Sequence, residues 1–436
     1  MDEAQLFEDA KAVLLANDQG EFTKPAEGLY PHQWLWDSCF VAIGQRHYDV
    51  DRAKQELTSL FRGQWANGML PNMILSGGRR DRWSIWRSWL NPNSPDKFNT
   101  SGITQPPMLA EAVVRVGQKL PASEKRSWYG VMYPKLLAYH QWLFRERDPH
   151  GEGLVLQIHP WETGLDNTPS WMSEMHQHQM PLWIRTIRAL GLIPIITLFR
   201  RDTHRIPAEQ RLDTTDALIF FSTQRRLRRK NYDIDKILNH SLFAIEDLAF
   251  NCIFIRANQL LSEIAKTLQR DLPDDFKEKI KKSEDALEQL WDPYANQYYS
   301  RNFITHKLIK EPTISTLLPL YAGVVDKQRA KSLVRLLENR HQFGTNYPIP
   351  TVPVNSTWFR PTGYWQGPTW INTNWLIIDG LKRFGFDDHA EALKENTIEL
   401  VNNAGFNEYF NPFTGEPAGA KNFSWTAALT IDLIKS

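Results

Sequence analysis

Two acidic segments stand out by what surrounds their carboxyl groups. In His159-Pro160-Trp161-Glu162-Thr163-Gly164-Leu165-Asp166-Asn167-Thr168-Pro169-Ser170-Trp171, Asp166 lies between two tryptophans, Gly164 permits close backbone approach, and Pro169 ends the turn. Walls of Trp161 and Trp171 would keep water from the carboxyl group and raise its pKa towards that of a working acid. In Gly405-Phe406-Asn407-Glu408-Tyr409-Phe410-Asn411-Pro412-Phe413-Thr414-Gly415-Glu416, a carboxylate sits among aromatic residues beside turns at Asn411-Pro412 and Thr414-Gly415. A glycosidic bond is cut by such a pair, one group protonating the leaving oxygen and the other activating water or attacking the sugar. Glu162 competes with Asp166 for the first role and Glu416 with Glu408 for the second, and the residues alone leave both choices open. An N-cap or Asx-turn is the simpler reading of Asp166.

The aromatic composition fits a sugar site. The chain has 17 Trp, grouped as Trp34 and Trp36; Trp83, Trp86 and Trp89; Trp161 and Trp171; and Trp358, Trp365, Trp370 and Trp375. Trp in a core covers apolar area, but here it stands beside Asp, Gln, Asn and Gly, as suits rings that stack on sugar faces while polar neighbours bind hydroxyls. Asp37, next to Trp34 and Trp36, reads as a sugar-hydroxyl ligand or as a helix N-cap. Gln105 reaches the sugar or merely starts its helix, and Trp425 faces the site or the core. Arg200 and Arg201 are candidates to clamp a substrate carboxylate bidentately, with plain surface arginines as the alternative. His159, His176 and His178 match neither a zincin nor a Cys/His structural site, so no metal and no cofactor is expected.

The elements that must position these groups are helical. Ala53, Leu57, Leu60 and Phe61 fall at i, i+4, i+7 and i+8, one face of a helix with Asp51 as its expected cap. Thr104-Gln105-Pro106-Pro107 opens another helix, with Leu109, Ala112, Val113 and Val116 on one side. Further helices are expected over residues 4–16, 35–48, 124–148, 180–199, 237–268, 276–291, 314–324, 327–339, 365–384, 388–403 and 423–434. Residues 154–158 and 298–303 read as short β hairpins in loops. About a dozen helices with no βαβ alternation and no repeat period suggest hairpins closed into a ring rather than a solenoid. The polar-aromatic segments fall between helices, where loops on one rim converge over the central hole. One domain over residues 1–436 is expected, with insertions around 67–103, 150–175 and 200–236 forming a cap.

Charge and cysteine content narrow the function. Lys+Arg at 51 and Asp+Glu at 50 leave no basic footprint for nucleic acid, and the run Arg225-Arg226-Leu227-Arg228-Arg229-Lys230 reads as a solvated helix face. Cys39 and Cys252 stand among apolar residues as buried thiols. The acidic N-terminus lacks the basic and apolar regions of a signal peptide. The best membrane candidate, residues 189–199, falls short of the roughly 20 residues a span needs. A cytoplasmic enzyme with a small carbohydrate substrate is expected, with no nucleic-acid or membrane partner.

Four blocks carry a family resemblance. Tyr30-Pro31-His32-Gln33-Trp34-Leu35-Trp36-Asp37 resembles the aromatic-Trp-Asp signature of glycoside hydrolase family 63, and the segment from Trp161 to Pro169 its acid-bearing loop. Tyr364-Trp365-Gln366-Gly367-Pro368-Thr369-Trp370-Ile371-Asn372 resembles its late Tyr-Trp-x-Gly-Pro-x-Trp-x-Asn motif. Glu408-Tyr409-Phe410, then Phe423-Ser424-Trp425-Thr426-Ala427-Ala428, resembles the base segment and closing helix. The resemblance implies an all-α (α/α)₆ barrel, inversion at the anomeric carbon, Asp166 as acid and Glu408 as base. It also implies a sugar subsite that includes Tyr30, Trp36, Trp161, Gly164, Tyr364, Trp365, Gln366 and Trp370. Gln366 departs from the pattern, where an Arg often stands. The short form of the family is similar to hydrolases of mannosylglycerate and glucosylglycerate, which makes an exo-acting α-glycosidase for a small α-glucoside or α-mannoside the leading expectation. A neutral-oligosaccharide α-glucosidase and a non-catalytic carbohydrate-binding scaffold are the alternatives.

Overall fold

The computed structural model describes residues 2–78, 84–178, 180–200, 202–239 and 243–436, with the backbone alone at 177 and 178. The helices run α1 (Glu3–Ala16), α2 (Leu35–Gln45), α3 (Val50–Leu60), α4 (Leu109–Gly117), α5 (Ala122–Arg147), α6 (Pro169–His178), α7 (Leu182–Ala189), α8 (Ile193–Thr197) and α9 (Thr214–Arg229). They continue with α10 (Ile234–Leu238), α11 (Leu248–Leu268), α12 (Asp274–Ala286), α13 (Pro319–Ala322), α14 (Lys327–Glu338), α15 (Ile371–Arg383), α16 (Asp387–Ala404) and α17 (Ser424–Lys435). The described strands are short antiparallel pairs. The chain is predominantly helical, as its periodicity requires.

Burial sorts these helices into two sets. Every residue of α2 is buried, as is nearly all of α17, and a helix apolar all round belongs inside. By contrast α3 and α14 bury one stripe and expose the rest. Packing follows this division. α2 packs on α4, α4 on α11, α11 on α13, α13 on α15, α15 on α17 and α17 back on α2, so the six contacts close a cycle. Each inner helix also backs onto a second one: α17 onto α1, α2 onto α3, α4 onto α5, α11 onto α12, α13 onto α14 and α15 onto α16.

Several boundaries differ from the sequence reading for local reasons. Asp49, not Asp51, caps α3, its side chain accepting from the Arg52 N–H. The helix expected over 180–199 breaks into α7 and α8 at Gly191, which sits at φ +67°. There the Leu192 N–H closes back on the Ile187 carbonyl, the 6→1 bond of a Schellman stop. The helix expected from 237 starts only at Leu248, where the Asp247 side chain accepts from the Phe250 N–H. Before it, strand Ile245–Glu246 pairs with Arg301–Asn302, and Gln157 bridges to Ile245, so the two expected hairpins meet on one segment. α15 begins at Ile371 instead of 365, because residues 361–367 form turns. α6 and α9 fall inside segments read as loops. Arg225, Arg226 and Arg229 lie exposed on α9, as a solvated face should. Cys39 and Cys252 are buried and free. No described helix is long and apolar enough to cross a membrane.

Candidate active site

The loops that follow or precede the inner helices converge on one cavity of about 180 Å³. Asp37 comes from the first turn of α2, beside Trp36. Gln105 stands four residues before α4 and accepts from the Trp36 N–H at 3.4 Å. Trp161, Gly164 and Asp166 lie on the segment leading into α6; Tyr364, Trp365 and Trp370 on the turns before α15; and Trp425 at the start of α17. Tyr30 and Trp34 complete the wall before α2. Glu408 is on strand Asn407–Phe410, which pairs with Pro417–Lys421.

Asp166 is held through its neighbours. Its Oδ2 accepts from the Tyr364 hydroxyl at 3.1 Å, and its carbonyl accepts from the indole N–H of the fully buried Trp171 at 2.9 Å. The loop is tied to the Tyr364 turn at Asn167, which accepts from the Trp365 N–H and the Gln366 side chain and donates to the Gly363 carbonyl. Tyr364 itself sits at φ +64°, a conformation that costs a bulky residue about 1–3 kcal/mol and is found where function requires it. Burial pushes the Asp166 carboxyl up to about 7, against the downward pull of the Tyr364 hydroxyl and Arg211 and with a further upward push from Glu408. An acid near 7 is half protonated at neutral pH and suited to giving its proton away.

Glu408 is fixed by donors on both oxygens. The Tyr30 hydroxyl donates to Oε1 at 2.7 Å and the Ala420 N–H to Oε2 at 2.8 Å, while Arg211 Nη1 stands 3.4 Å from both. Gly419 makes room for this carboxylate: it lies at φ +74°, and a Cβ there would come within 2.6 Å of Oε2. Gly164 plays the same part opposite, where a Cβ would meet the Trp36 ring at 2.6 Å. Burial drives the Asp37 carboxyl well above its ordinary range, with the charges of Glu408 and Asp166 adding to the shift. Asp37 lines the cavity, where its carboxyl group can hydrogen-bond a sugar hydroxyl. Trp365 stacks on Trp370 with centroids 3.7 Å apart. The indole nitrogens of Trp34 and Trp425 are buried without a hydrogen-bond partner among the described residues, leaving two donors for ligand hydroxyls.

The rival carboxylates lie off the cavity. Glu162 accepts from Arg147, from the Thr104 N–H and from the Ile158 N–H, which anchors the loop. Glu416 is exposed at its turn.

Residues 30–426 match the family described as "Mannosylglycerate hydrolase MGH1-like glycoside hydrolase domain". The chain belongs to this family. It is a glycoside hydrolase. It is 39% identical to a mannosylglycerate hydrolase of Thermus thermophilus over 97% of this chain and 99% of the relative. Identity is 31% with a glucosylglycerate hydrolase of Mycolicibacterium hassiacum over 98% and 97% of the two chains. Its structure matches a family 63 mannosylglycerate hydrolase of Thermus thermophilus solved with Tris and D-glycerate, at TM-score 0.87 and 37% identity over 98% and 99% of the chains.

Some expected site residues of this hydrolase stand elsewhere. Arg200 does not line the Asp166–Glu408 cavity. Its guanidinium is occupied by Asp202, the Leu212 carbonyl and Thr214, in a neighbouring polar pocket of about 260 Å³. Gln366 also faces that pocket, its amide spent on the Asn167 carbonyl. Arg201 and Trp83 lie outside the described residues, as does the His178 side chain. His159 is spent on the Phe220 carbonyl and the Trp161 N–H, and His176 on Asp216. The residue that sequence reasoning missed is Arg211, which lines both pockets and lies 4.6 Å over the Tyr364 ring. Nothing in Glu209-Gln210-Arg211-Leu212 distinguishes it from Arg200 or Arg205; the one signal was its place in a segment expected to cap the site. Trp86 also reaches the cavity, 4.4 Å from Trp161.

The Tyr364–Asp166 bond gives a testable pH dependence. With Asp166 as the general acid, the role proposed below, the carboxyl group must be protonated to work, so kcat/KM should fall as pH rises through about 7. The Tyr364 hydroxyl donates to the carboxylate and favours its charged form. Tyr364→Phe therefore raises the Asp166 pKa and moves the alkaline limb upward, by about one unit for a hydrogen bond worth about 1.5 kcal/mol. pH–rate profiles of the two proteins check this, and coincident alkaline limbs would contradict it.

Proposed function

We propose that this hydrolase is an inverting, exo-acting α-glycosidase on an (α/α)₆ toroid, with Asp166 as general acid and Glu408 as general base. Its proposed substrate is a small α-mannoside or α-glucoside with a carboxylate-bearing aglycone, such as mannosylglycerate or glucosylglycerate. The observation that carries the reading is the pairing within one cavity of a carboxyl group buried to a pKa of about 7 and a carboxylate oriented by three donors. The closed cycle α2–α4–α11–α13–α15–α17, with a second helix behind each member, supports the toroid. Trp86, Asp166 and Arg211 come from the three segments expected as insertions and all line the cavity, which supports a cap within a single domain over 1–436. The names of the relatives support the substrate class.

In the reaction, protonated Asp166 gives its hydrogen to the glycosidic oxygen as the bond from that oxygen to C1 breaks. A water held by Glu408 on the opposite face loses a proton to that carboxylate and bonds to C1 with inverted configuration. The aglycone leaves as a free alcohol, and solvent exchange returns both carboxyl groups to their starting states. Asp37 and the free indole N–H groups bind sugar hydroxyls, and the Trp365–Trp370 stack walls the ring from bulk water.

The reading is tested by a hydrolysis screen across charged and neutral α-glycosides, with the first-formed anomer followed by proton NMR. Fast release of the β-anomer from glucosylglycerate or mannosylglycerate is expected. First release of the α-anomer would refute inversion, and preference for neutral disaccharides would refute the aglycone class.

A further inference from the structure

Away from the catalytic cavity, the loop that follows α5 meets the hairpin carrying strand Arg301–Asn302. His150 and Glu152 on the loop and His306 on the hairpin each offer one ligand atom, all within 4.8 Å of one another. His306 Nε2 is 3.7 Å from Glu152 Oε1, and His150 Nδ1 is 4.0 Å from the same oxygen. Bonds of about 2.0–2.2 Å at tetrahedral angles put ligand atoms about 3.4 Å apart, so side-chain rotation must draw the two imidazole–carboxylate gaps in by about 0.3 and 0.6 Å and the two imidazoles together by up to about 1.4 Å to close the set.

We infer that His150, Glu152 and His306 form a binding site for a divalent transition-metal ion of the zinc type, which ties the α5 loop to this hairpin. Two imidazoles and one carboxylate suit zinc, whereas calcium and magnesium prefer all-oxygen sets.

Each ligand is held by a neighbour that leaves its binding atom free. Glu152 Oε2 accepts from Arg301 Nη2 at 3.0 Å, which leaves Oε1 towards the two histidines. Arg301 is itself buried and braced by Glu246 and by Gln289 at 2.7 Å, the kind of outer partner that orients a ligating carboxylate. The His150 ring stacks on Phe303 with centroids 4.9 Å apart. His306 is fixed at the hairpin turn, where its N–H donates to the Asn302 carbonyl at 2.9 Å and its φ is +55°. The alternative without a metal is a half-exposed ion-pair cluster, which would give these three groups no saturable affinity for zinc. Sequence spacing did not show the site, because its third ligand comes from a distant hairpin.

None of the three residues lines the catalytic cavity, so the ion is structural and the site is independent of the proposed glycosidase activity. The test uses the full-length chain, stripped with a chelator and titrated with zinc chloride by calorimetry, with thermal unfolding followed in parallel. One saturable equivalent per chain and a rise in Tm are expected, with no competition from magnesium. His150→Ala removes one ligand, and His306→Gly removes another while relieving the left-handed backbone. Each should weaken zinc binding more than about tenfold, since even outer-shell changes cost 10–100-fold. Both variants should keep the wild-type hydrolysis rate on a glycoside substrate. Absence of a saturable equivalent in the wild-type chain, or undiminished affinity in both variants, overturns the site.

Discussion

Asp166→Asn and Glu408→Gln each lower kcat by roughly 10²–10⁴, the usual loss when a general acid or base is removed. Both changes are nearly isosteric: the Tyr364 hydroxyl still has an oxygen to donate to at position 166, and at 408 the Ala420 N–H can keep the amide oxygen while the Tyr30 hydroxyl turns to accept from the amide N–H. The two losses differ with the leaving group. A substrate whose aglycone is a strong acid, such as a glycosyl fluoride, needs little protonation as it departs. Asp166→Asn should therefore recover much of its rate on the fluoride, whereas Glu408→Gln stays slow on both substrates because water still needs a base. Single-turnover rates with a natural-type glycoside and with the fluoride measure this. Recovery in Glu408→Gln alone would mean that the acid and base are assigned the wrong way round, and equal recovery in both variants that the base is another residue. Unchanged kcat in Glu408→Gln, with loss in Glu416→Gln, would move the base to the exposed turn.

How far the sequence reaches is clearest at the carboxylates. Asp166 and Glu408 were legible as candidates from their aromatic surroundings, but Glu162 and Glu416 shared those surroundings. What separates them is three-dimensional: Glu162 is spent on Arg147 and two backbone N–H groups, and Glu416 faces solvent. Helix existence followed from apolar periodicity because burial of one stripe imposes it. Helix ends were less legible, since Asp49 and Asp51 are equally good caps on paper and only chain entry selects between them. Gly191 was visible in the sequence but lay within an apolar run that reads as continuous helix. The segment from Leu182 to Phe199 carries exposed Leu182, Leu190, Leu198 and Phe199, so its apolar pattern does not report a buried face. Arg211 illustrates the remaining limit. Its position depends on the short turn Ala208–Gln210 docking on the strands that carry Glu408, where the Tyr409 hydroxyl donates to the Gln210 carbonyl and the Gln210 amide oxygen accepts from the Gly419 N–H. That contact joins positions about two hundred residues apart, and no local pattern encodes it.

Arg211→Gln should separate the two duties this residue is placed to perform. Its guanidinium is buried between the Glu408 carboxylate and the Tyr364 ring, and it forms the wall shared by the catalytic cavity and the polar pocket holding Arg200 and Arg360. A substrate carboxylate entering this enclosed space loses hydration, and leaving its charge unpaired there is costly. Arg211 is a cation lining the cavity beside Asp166 and Glu408; its Nη1 stands 3.4 Å from Glu408 and its Nε 3.9 Å from Asp202, with no hydrogen bond made by Nε among the described residues, so an incoming carboxylate shares this guanidinium with them. A hydrogen bond to a charged group is worth about 1.5–3 kcal/mol, or roughly 10- to 150-fold in binding. For a glycoside with a charged aglycone, Arg211→Gln should therefore raise KM by that factor. For a neutral glycoside KM should barely move, because no anion is lost from the contact. Loss of the bond to Glu408 is a separate effect: it loosens the proposed base and should lower kcat on both substrates by a similar, smaller factor. The ratio of kcat/KM for charged over neutral glycosides cancels the shared part and isolates the carboxylate contact. A fall in that ratio of tenfold or more supports Arg211 as the aglycone's cation. An unchanged ratio would confine Arg211 to holding Glu408, and Arg200→Gln, measured the same way, would then show whether the neighbouring pocket carries the anion instead.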